Sequence, residues 1–257
     1  GAGPGRAEGG KIVRAYELRR SGLVLAEPEV LISAVEQALF GSAVLKNKRV
    51  LITAGATRED IDPVRYITNH SSGKMGYALA KAARSMGAEV ELVSGNTAIM
   101  PPYGVSTVFV SSAEEMYDAV LSRAQNADII VMAAAVADYT PAEKASQKIK
   151  KSEGEHALVL KRTKDILAEI GGNKTRAQIV VGFSMETENL LENSRKKLSE
   201  KNADMIVANS IANASTGFGV DTAAVLITKS SETDTGLLTK DELARLILEK
   251  AAELCGK

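Results

Sequence analysis

The chain has 257 residues, 45% of them hydrophobic and 25% charged, and its 32 basic residues balance 32 acidic ones. At a soft prior of roughly 150 residues per domain, that length allows one large domain or two small ones, and a balanced charge argues against a general nucleic-acid binder. No apolar run approaches the ~18–20 residues that span a bilayer, the single cysteine, Cys255, excludes an intrachain disulfide and the Cys₂His₂ and Cys₄ zinc sites, and His70 and His156 are too few for a histidine-based metal cluster.

Residues 1–10 are Gly-rich and lack the long apolar core of a secretory signal, so the start reads as a linker, a fusion scar or the cut end of a longer polypeptide, and the cytoplasm is the expected compartment. Apolar residues at helical spacing predict a helix over 28–39, with Pro28 suited to its first turn. A buried-strand run at 49–54 ends at Gly55, and an Ala-rich amphipathic helix is predicted over 73–86. Strands follow at 89–94 and 105–110; Ser111 and Ser112 can cap a helix over 113–126. The nearly nonpolar run 128–135 is a fourth strand, and 165–170 a short helix closed by Gly171 and Gly172. Strands at 178–184, 205–208 and 223–229 and helices at 189–202 and 240–254 complete the pattern. Continuous apolar strands alternating with helices predict an α/β fold, a doubly wound, mostly parallel Rossmann-like sheet with helices on both faces. It forms one domain over 46–257, with 1–45 as a connector carrying the short helix.

Ligands of such sheets sit beyond the carboxyl ends of the strands, which directs attention to the segments after Ala54, Ala135, Gly182 and Ala208. The first, GATREDIDPVRYITNHSSGKMG, neither turns directly into a helix through GxGxxG nor carries the Walker pattern. It presents Arg58, Asp62, Arg65, Asn69 and two serines before Gly73 and Gly76 open a helix, as suits an anion held on backbone N–H groups and the helix dipole. In the second, MAAAVADY, small side chains let a ligand ring lie against the backbone, with Asp138 as a fixed acceptor; helix–sheet packing uses alanine equally well. KASQKIKK, 144–151, brings four lysines close behind Asp138, where they would serve a triphosphate. Lys197 and Lys201 share a helix face, which alone reads as a solvated surface, and Phe183 follows Gly182 at a strand end, where it stacks on a base or caps the core. His70 is read as a loop residue and not a base, His156 as structural and Cys255 as inert.

In this order, DPVRYITNHSSGKMG, AAVADY, KIKK and VGFSMET, with ANSI and TGFGVD matching more loosely, resemble the CTP-dependent phosphopantothenate–cysteine ligase family of coenzyme A biosynthesis. The likeness covers residues 48–255, and 25–39 is similar to the connector that precedes the ligase in bifunctional members, whose other half is a flavin-dependent decarboxylase; no flavin is expected in this chain. The resemblance implies that 4′-phosphopantothenate attacks the α-phosphate of CTP, giving an acyl-cytidylate and pyrophosphate, and that the amine of cysteine then displaces CMP. Magnesium would accompany the triphosphate; the metal ligands are left unassigned. It implies roles as follows. Gly55, Ser71, Gly73 and Gly76 would cradle phosphate. Asn69 would contact the acyl intermediate, and Arg65 the substrate phosphate across a homodimer interface. Ala134, Ala135 and Asp138 would meet pantothenate and nucleotide, and Lys148 would act at the α-phosphorus. Met132, Ala133, Ala134, Lys164, Asp165, Ile166, Leu167, Phe183, Lys197 and Lys201 would bind nucleotide. Lys164 stands where bacterial members often have proline, and Met132 would act through its backbone.

Two other functions compete. An NAD(P)-dependent oxidoreductase is disfavoured because GATRED replaces GxGxxG and the second strand ends in Ser94 and Gly95, not in an acidic residue for a ribose. A non-catalytic nucleotide-binding subunit is disfavoured by the presence of both Asn69 and Lys148. No nucleic-acid or membrane partner is expected.

Overall fold

The computed structural model describes residues 28, 31, 32, 35, 41–150, 157–186, 188–210 and 221–255. Most of the helix predicted over 28–39 lies outside them, although Pro28, Leu31, Ile32 and Val35 are helical. His156, Lys151 and most of TGFGVD also lie outside.

Alternation decides which side of the sheet each strand residue serves. In β1 (Arg49–Ala54), Val50 and Ile52 join one core cluster and Leu51 the opposite one. After β1 the chain forms a small hairpin, β2 (Arg58–Asp60) and β3 (Tyr66–Thr68), then α1 (Lys74–Ser85), β4 (Glu89–Ser94) and β5 (Ser106–Phe109). Next come α2 (Ala113–Ala124), β6 (Ile129–Met132), and the paired short strands β7 (Tyr139–Pro141) and β8 (Leu160–Arg162). The remainder is α3 (Ile166–Asn173), β9 (Ile179–Glu186), α4 (Leu190–Glu200), β10 (Met205–Ser210), β11 (Asp221–Thr228), β12 (Glu232–Thr239) and α5 (Lys240–Cys255).

The eight-stranded sheet has the order β12-β11-β10-β9-β6-β1-β4-β5. Strands from β5 to β10 are parallel neighbours, while β11 and β12 run on as an antiparallel edge. Helices α1 and α5 cover one face through Tyr77, Leu79, Leu243 and Ile247; α2, α3 and α4 cover the other through Met116, Val120, Ile170 and Leu198. This is the doubly wound, mostly parallel α/β sheet expected from the sequence. Leu45, fully buried in the α1/α5 cluster, shows that the chain reaches the core just before β1. The order reverses direction at β1: the chain leaves it for β4 and β5, then returns by α2 to β6 on its other side. Ligand clefts of open α/β sheets form at such switch points.

Local differences have local causes. Ser112 caps α2 as expected, accepting from Glu115 N at 3.2 Å. The glycines expected to close the helix after Asp165 do not: α3 runs through Gly171 and Gly172 to Asn173. Gly171 instead permits close approach, since a Cβ there would collide with the Lys201 carbonyl, and Asn202 Nδ2 donates to the Gly171 carbonyl at 2.7 Å. The fourth strand, expected to reach 135, leaves the sheet after Met132. The loop read between Gly55 and Gly76 contains the β2–β3 hairpin, and the polar strand β12 had no apolar pattern to announce it.

Candidate active site

The segment after β6 is fixed by two buried threonines. Thr53 Oγ1 accepts from Ala134 N at 3.0 Å, and Thr57 Oγ1 accepts from Ala137 N at 3.0 Å. Backbone bonds add to this: Ala135 N donates to Gly55 O at 2.9 Å and Thr57 N to Ala135 O at 3.3 Å. Residues 133–138 are thereby held across the carboxyl ends of β1 and β6. Their small side chains leave room for a cleft of about 540 Å³, which passes from Met132 and Ala134 to Phe183 at the end of β9.

Cations gather round it. Lys164, Lys197, Lys201 and Arg162 all line the cleft. Lys201 Nζ lies 2.8 Å from Asp165 Oδ2, and Asp165 Oδ1 caps α3 by accepting from Ala168 N at 2.9 Å. Burial alone would raise the Asp165 pKa, but the Lys201 hydrogen bond, the Ala168 N–H and the charges of Lys201 and Lys197 outweigh it, so the carboxyl titrates below its usual range. Lys197 Nζ donates to the Phe183 carbonyl at 2.8 Å. Lys164 sits 4.5 Å above the Tyr117 ring and 3.8 Å from Glu114 Oε1. An anion in the cleft would meet these cations together with the α3 N-terminus.

Beside the cleft stands the β2–β3 hairpin. Buried Glu59 holds it by accepting from Ala113 N, at the start of α2, at 2.9 Å. Asn69, just after the hairpin, donates from Nδ2 to the Val136 carbonyl at 3.1 Å, which places its amide at the rim. A strap, residues 142–150, lies against the hairpin. Ala145 N donates to Ile61 O at 2.9 Å, Lys144 Nζ lies 2.6 Å from Asp60 Oδ2, and Arg65 Nη2 donates to Ile149 O at 2.6 Å. Lys148 is exposed on this strap.

The structure thus brings Met132, Ala134, Asp138, Lys164, Asp165, Ile166, Leu167, Phe183, Lys197 and Lys201 into one cleft. Asn69 reaches its rim, while Arg65 and Lys148 stand on the hairpin and strap beside it. Gly55 and Gly73 form a separate pair at the α1 N-terminus. Both have positive φ, and a Cβ on Gly73 would lie 3.2 Å from Gly55 Cα. Ser71 Oγ accepts from Gly73 N at 3.3 Å, and no side chain caps α1. Gly76 has a packing role in this arrangement, because a Cβ would collide with Ala54 in β1. Ala133 packs on the α1/α5 core and Ala135 makes the backbone bonds named above, so neither lines the cleft.

Sequence reasoning missed Val136, Ala137, Tyr139, Arg162 and Thr163. Thr163 Oγ1 donates to the Ala137 carbonyl at 2.6 Å, and Arg162 is opposite Tyr139 in the β7–β8 pair. The cue for Thr163 was its place beside Lys164; Arg162 had none, being brought in by strand pairing.

Residues 45–254 match the model of the DNA/pantothenate metabolism flavoprotein C-terminal domain. The chain is 46% identical over 233 residues to the coenzyme A biosynthesis bifunctional protein CoaBC of Vibrio parahaemolyticus, covering 90% of this chain and 58% of the relative. It is 45% identical over 235 residues to the protein of that name in Bacillus subtilis, covering 90% and 58%. The crystal structure of the C-terminal domain of a coenzyme A biosynthesis bifunctional protein CoaBC superposes with a TM-score of 0.72 at 44% identity, covering 84% of this chain and 99% of that one. The chain therefore spans 58% of the length of these two curated relatives.

Proposed function

The chain belongs to the family of the DNA/pantothenate metabolism flavoprotein C-terminal domain, and from that premise we propose that it joins 4′-phosphopantothenate to cysteine at the expense of CTP. The observation that carries the reading is the cleft at the strand ends, where three lysines and Arg162 surround a floor of small residues and Asn69 is fixed at the rim. Activating a carboxylate with a triphosphate needs this kind of place. The anion must be neutralised, and a nucleotide must lie close to backbone.

In the first step the pantothenate carboxylate attacks the α-phosphorus, forming an acyl-cytidylate and releasing pyrophosphate. Lys197 and Lys201, which line the cleft, would bind nucleotide, and Lys148 would stabilise negative charge developing at the α-phosphorus. In the second step the amine of cysteine attacks the acyl carbon and CMP leaves; the Asn69 amide would orient the acyl group. Neither step needs a protein thiol or imidazole, in keeping with the composition. Arg65 would bind the substrate phosphate in a partner subunit, which makes a homodimer part of the proposal, as is association or fusion with a decarboxylase half.

Magnesium would supply further neutralisation of the phosphates. Among the described residues no three His, Cys, Asp or Glu side chains converge on a cage. The described residues thus offer no side-chain set for the ion, and no step is assigned to it. Among the described residues no helix is long and apolar enough to cross a membrane; the cytoplasm is proposed as the compartment.

The test is pyrophosphate release from CTP and from ATP in the presence of 4′-phosphopantothenate, with and without cysteine. CTP-dependent release that turns over repeatedly only with cysteine is the expected result. Release with ATP alone would overturn the nucleotide assignment, and none with either would overturn the ligase.

A further inference from the structure

Asp62 stands out among the acidic groups beside the site. Its side chain is fully buried in a turn at the tip of the β2–β3 hairpin, while Pro63, Val64 and Arg65 around it are exposed. Its two oxygens divide their work. Oδ1 accepts from the backbone N–H groups of Val64 at 2.8 Å and Arg65 at 2.9 Å, closing the turn that presents Arg65. Oδ2 accepts from Ile149 N at 3.2 Å, across 87 positions of sequence, and lies 3.5 Å from Arg65 Nε. Arg65 completes the circuit by donating from Nη2 to the Ile149 carbonyl at 2.6 Å. Ile149 is thus held at both its N–H and its carbonyl, one residue beyond Lys148.

We propose that Asp62 is a positioning residue for the ligation: it ties the strap to the hairpin, fixing the backbone next to Lys148, and closes the turn that presents Arg65 to the partner subunit. The inference rests on the functional reading above, which gives those two residues their work. A carboxylate suits the position because it offers only acceptors to three N–H donors and a guanidinium. Burial by itself would raise its pKa; the backbone N–H groups of Val64, Ile149 and Arg65 and the Arg65 charge outweigh that, so it is ionised at neutral pH. Among the described residues no hydrogen bond or ion pair holds the Lys148 side chain, and the strap supplies its position. Reacting groups displaced by as little as 1 Å can lose ~10²-fold in rate.

Asp62→Asn separates the two duties. The amide oxygen can still accept from Val64 and Arg65, but the NH₂ then faces the Ile149 N–H, donor against donor, so the tether to the strap is lost while the turn remains. Three measurements on the full chain test this. Amide exchange over residues 142–150 should rise in the variant with little change elsewhere. The pyrophosphate-release rate at saturating substrates should fall about 10-fold or more, with KM for CTP within ~3-fold. Lys148→Gln should cost far less in the Asp62→Asn background than in the parent, because the two changes disrupt one arrangement.

Unchanged exchange over the strap, an unchanged rate in an active enzyme, or strictly additive losses would each overturn the proposal. If the parent chain releases no pyrophosphate, the functional reading fails, and exchange over the strap alone then decides whether the tether exists. Should Asp62→Asn not fold, Asp60→Asn loosens the same strap at Lys144 and should give a smaller change in the same direction; no change in strap exchange there would also count against it.

Discussion

Two clefts on this molecule each hold three lysines, and only one has the surroundings of a nucleotide site. The first, about 540 Å³, has Lys164, Lys197 and Lys201 at the carboxyl ends of β6 and β9. The second, about 470 Å³, has Lys74, Lys81 and Lys240 between α1 and the start of α5. The floor makes the difference. In the first it is strand-end backbone bearing Ala134 and Ala137, close to the α3 N-terminus. In the second it is the flank of α1, carrying Tyr77 and Ala78, where backbone N–H and carbonyl groups are spent within the helix. The cations differ as well. Lys201 faces Asp165 and Lys197 a carbonyl, whereas Lys240 bonds to Thr222 Oγ1 at 2.9 Å and feels the like charge of Lys74. A count of lysines therefore says little about ligand class; the backbone they stand over says more.

The sharpest way to test the contrast is to remove the chemistry proposed at the rim of the first cleft. Asn69→Asp should form the acyl-cytidylate and fail to pass it to cysteine, so pyrophosphate appears in a single burst with no ligation product; normal multiple turnover would remove Asn69 from the mechanism. Lys148→Gln should slow pyrophosphate release by ~10²-fold, and an unchanged rate would return KIKK to the status of a solvated run. Binding comes next. Lys197→Gln or Lys201→Gln should weaken CTP by about 10-fold, the loss of one charge-assisted contact of roughly 1.5 kcal/mol, while Lys240→Met in the second cleft leaves CTP affinity within ~2-fold. Equal losses at the two clefts, measured by calorimetry, would erase the distinction.

The sequence showed the sheet more plainly than the cleft. β1 is a nearly continuous apolar run and β4 alternates exposed glutamates with apolar residues before its buried end, and the bounds of both coincide with those predicted. The hairpins β2–β3 and β7–β8 have three residues per strand, too few for a period of two to register. β12 is ETDTGLLT, held by pairing with β11 and not by a buried face. The same limit governed the site. Asp138 belonged to a contiguous motif, and Lys197 and Lys201 to one helix face, that could be read locally, whereas Lys164 came only with the family resemblance and Arg162 reaches the cleft only because β8 pairs with β7. The Thr53 and Thr57 hydroxyls that shape residues 134–137 lie some 80 positions away in sequence, and nothing local announces them.

The smallest expected effects concern stability, and they have opposite signs in the two clefts. Asp165 titrates below its ordinary value. Its pairing with Lys201 thus stabilises the fold above the unfolded aspartate pKa near 3.8 and is lost as pH falls through the depressed folded value. Asp165→Asn keeps an N-cap while deleting the charge. The parent should lose stability relative to this variant on acidification below about pH 4, by less than ~1 kcal/mol because the pair is partly exposed. At Lys240 the charge costs stability instead of adding it, although stability again rises with pH. Burial first, and the Lys74 charge second, lower its pKa, so the folded state disfavours the ammonium. The unfolded chain binds its proton more tightly, and stability rises with pH between the folded and unfolded values. Lys240→Met retains the apolar stem and removes the charge, at the loss of the Thr222 hydrogen bond. It should leave neutral-pH stability unchanged or raise it by less than ~1 kcal/mol after screening, and should flatten the alkaline rise. Urea melts at pH 3, 7 and 10 check both signs. A loss of stability in Lys240→Met at pH 7 would mean that the lysine is held by an attraction, and would make the second cleft more like the first than its floor suggests.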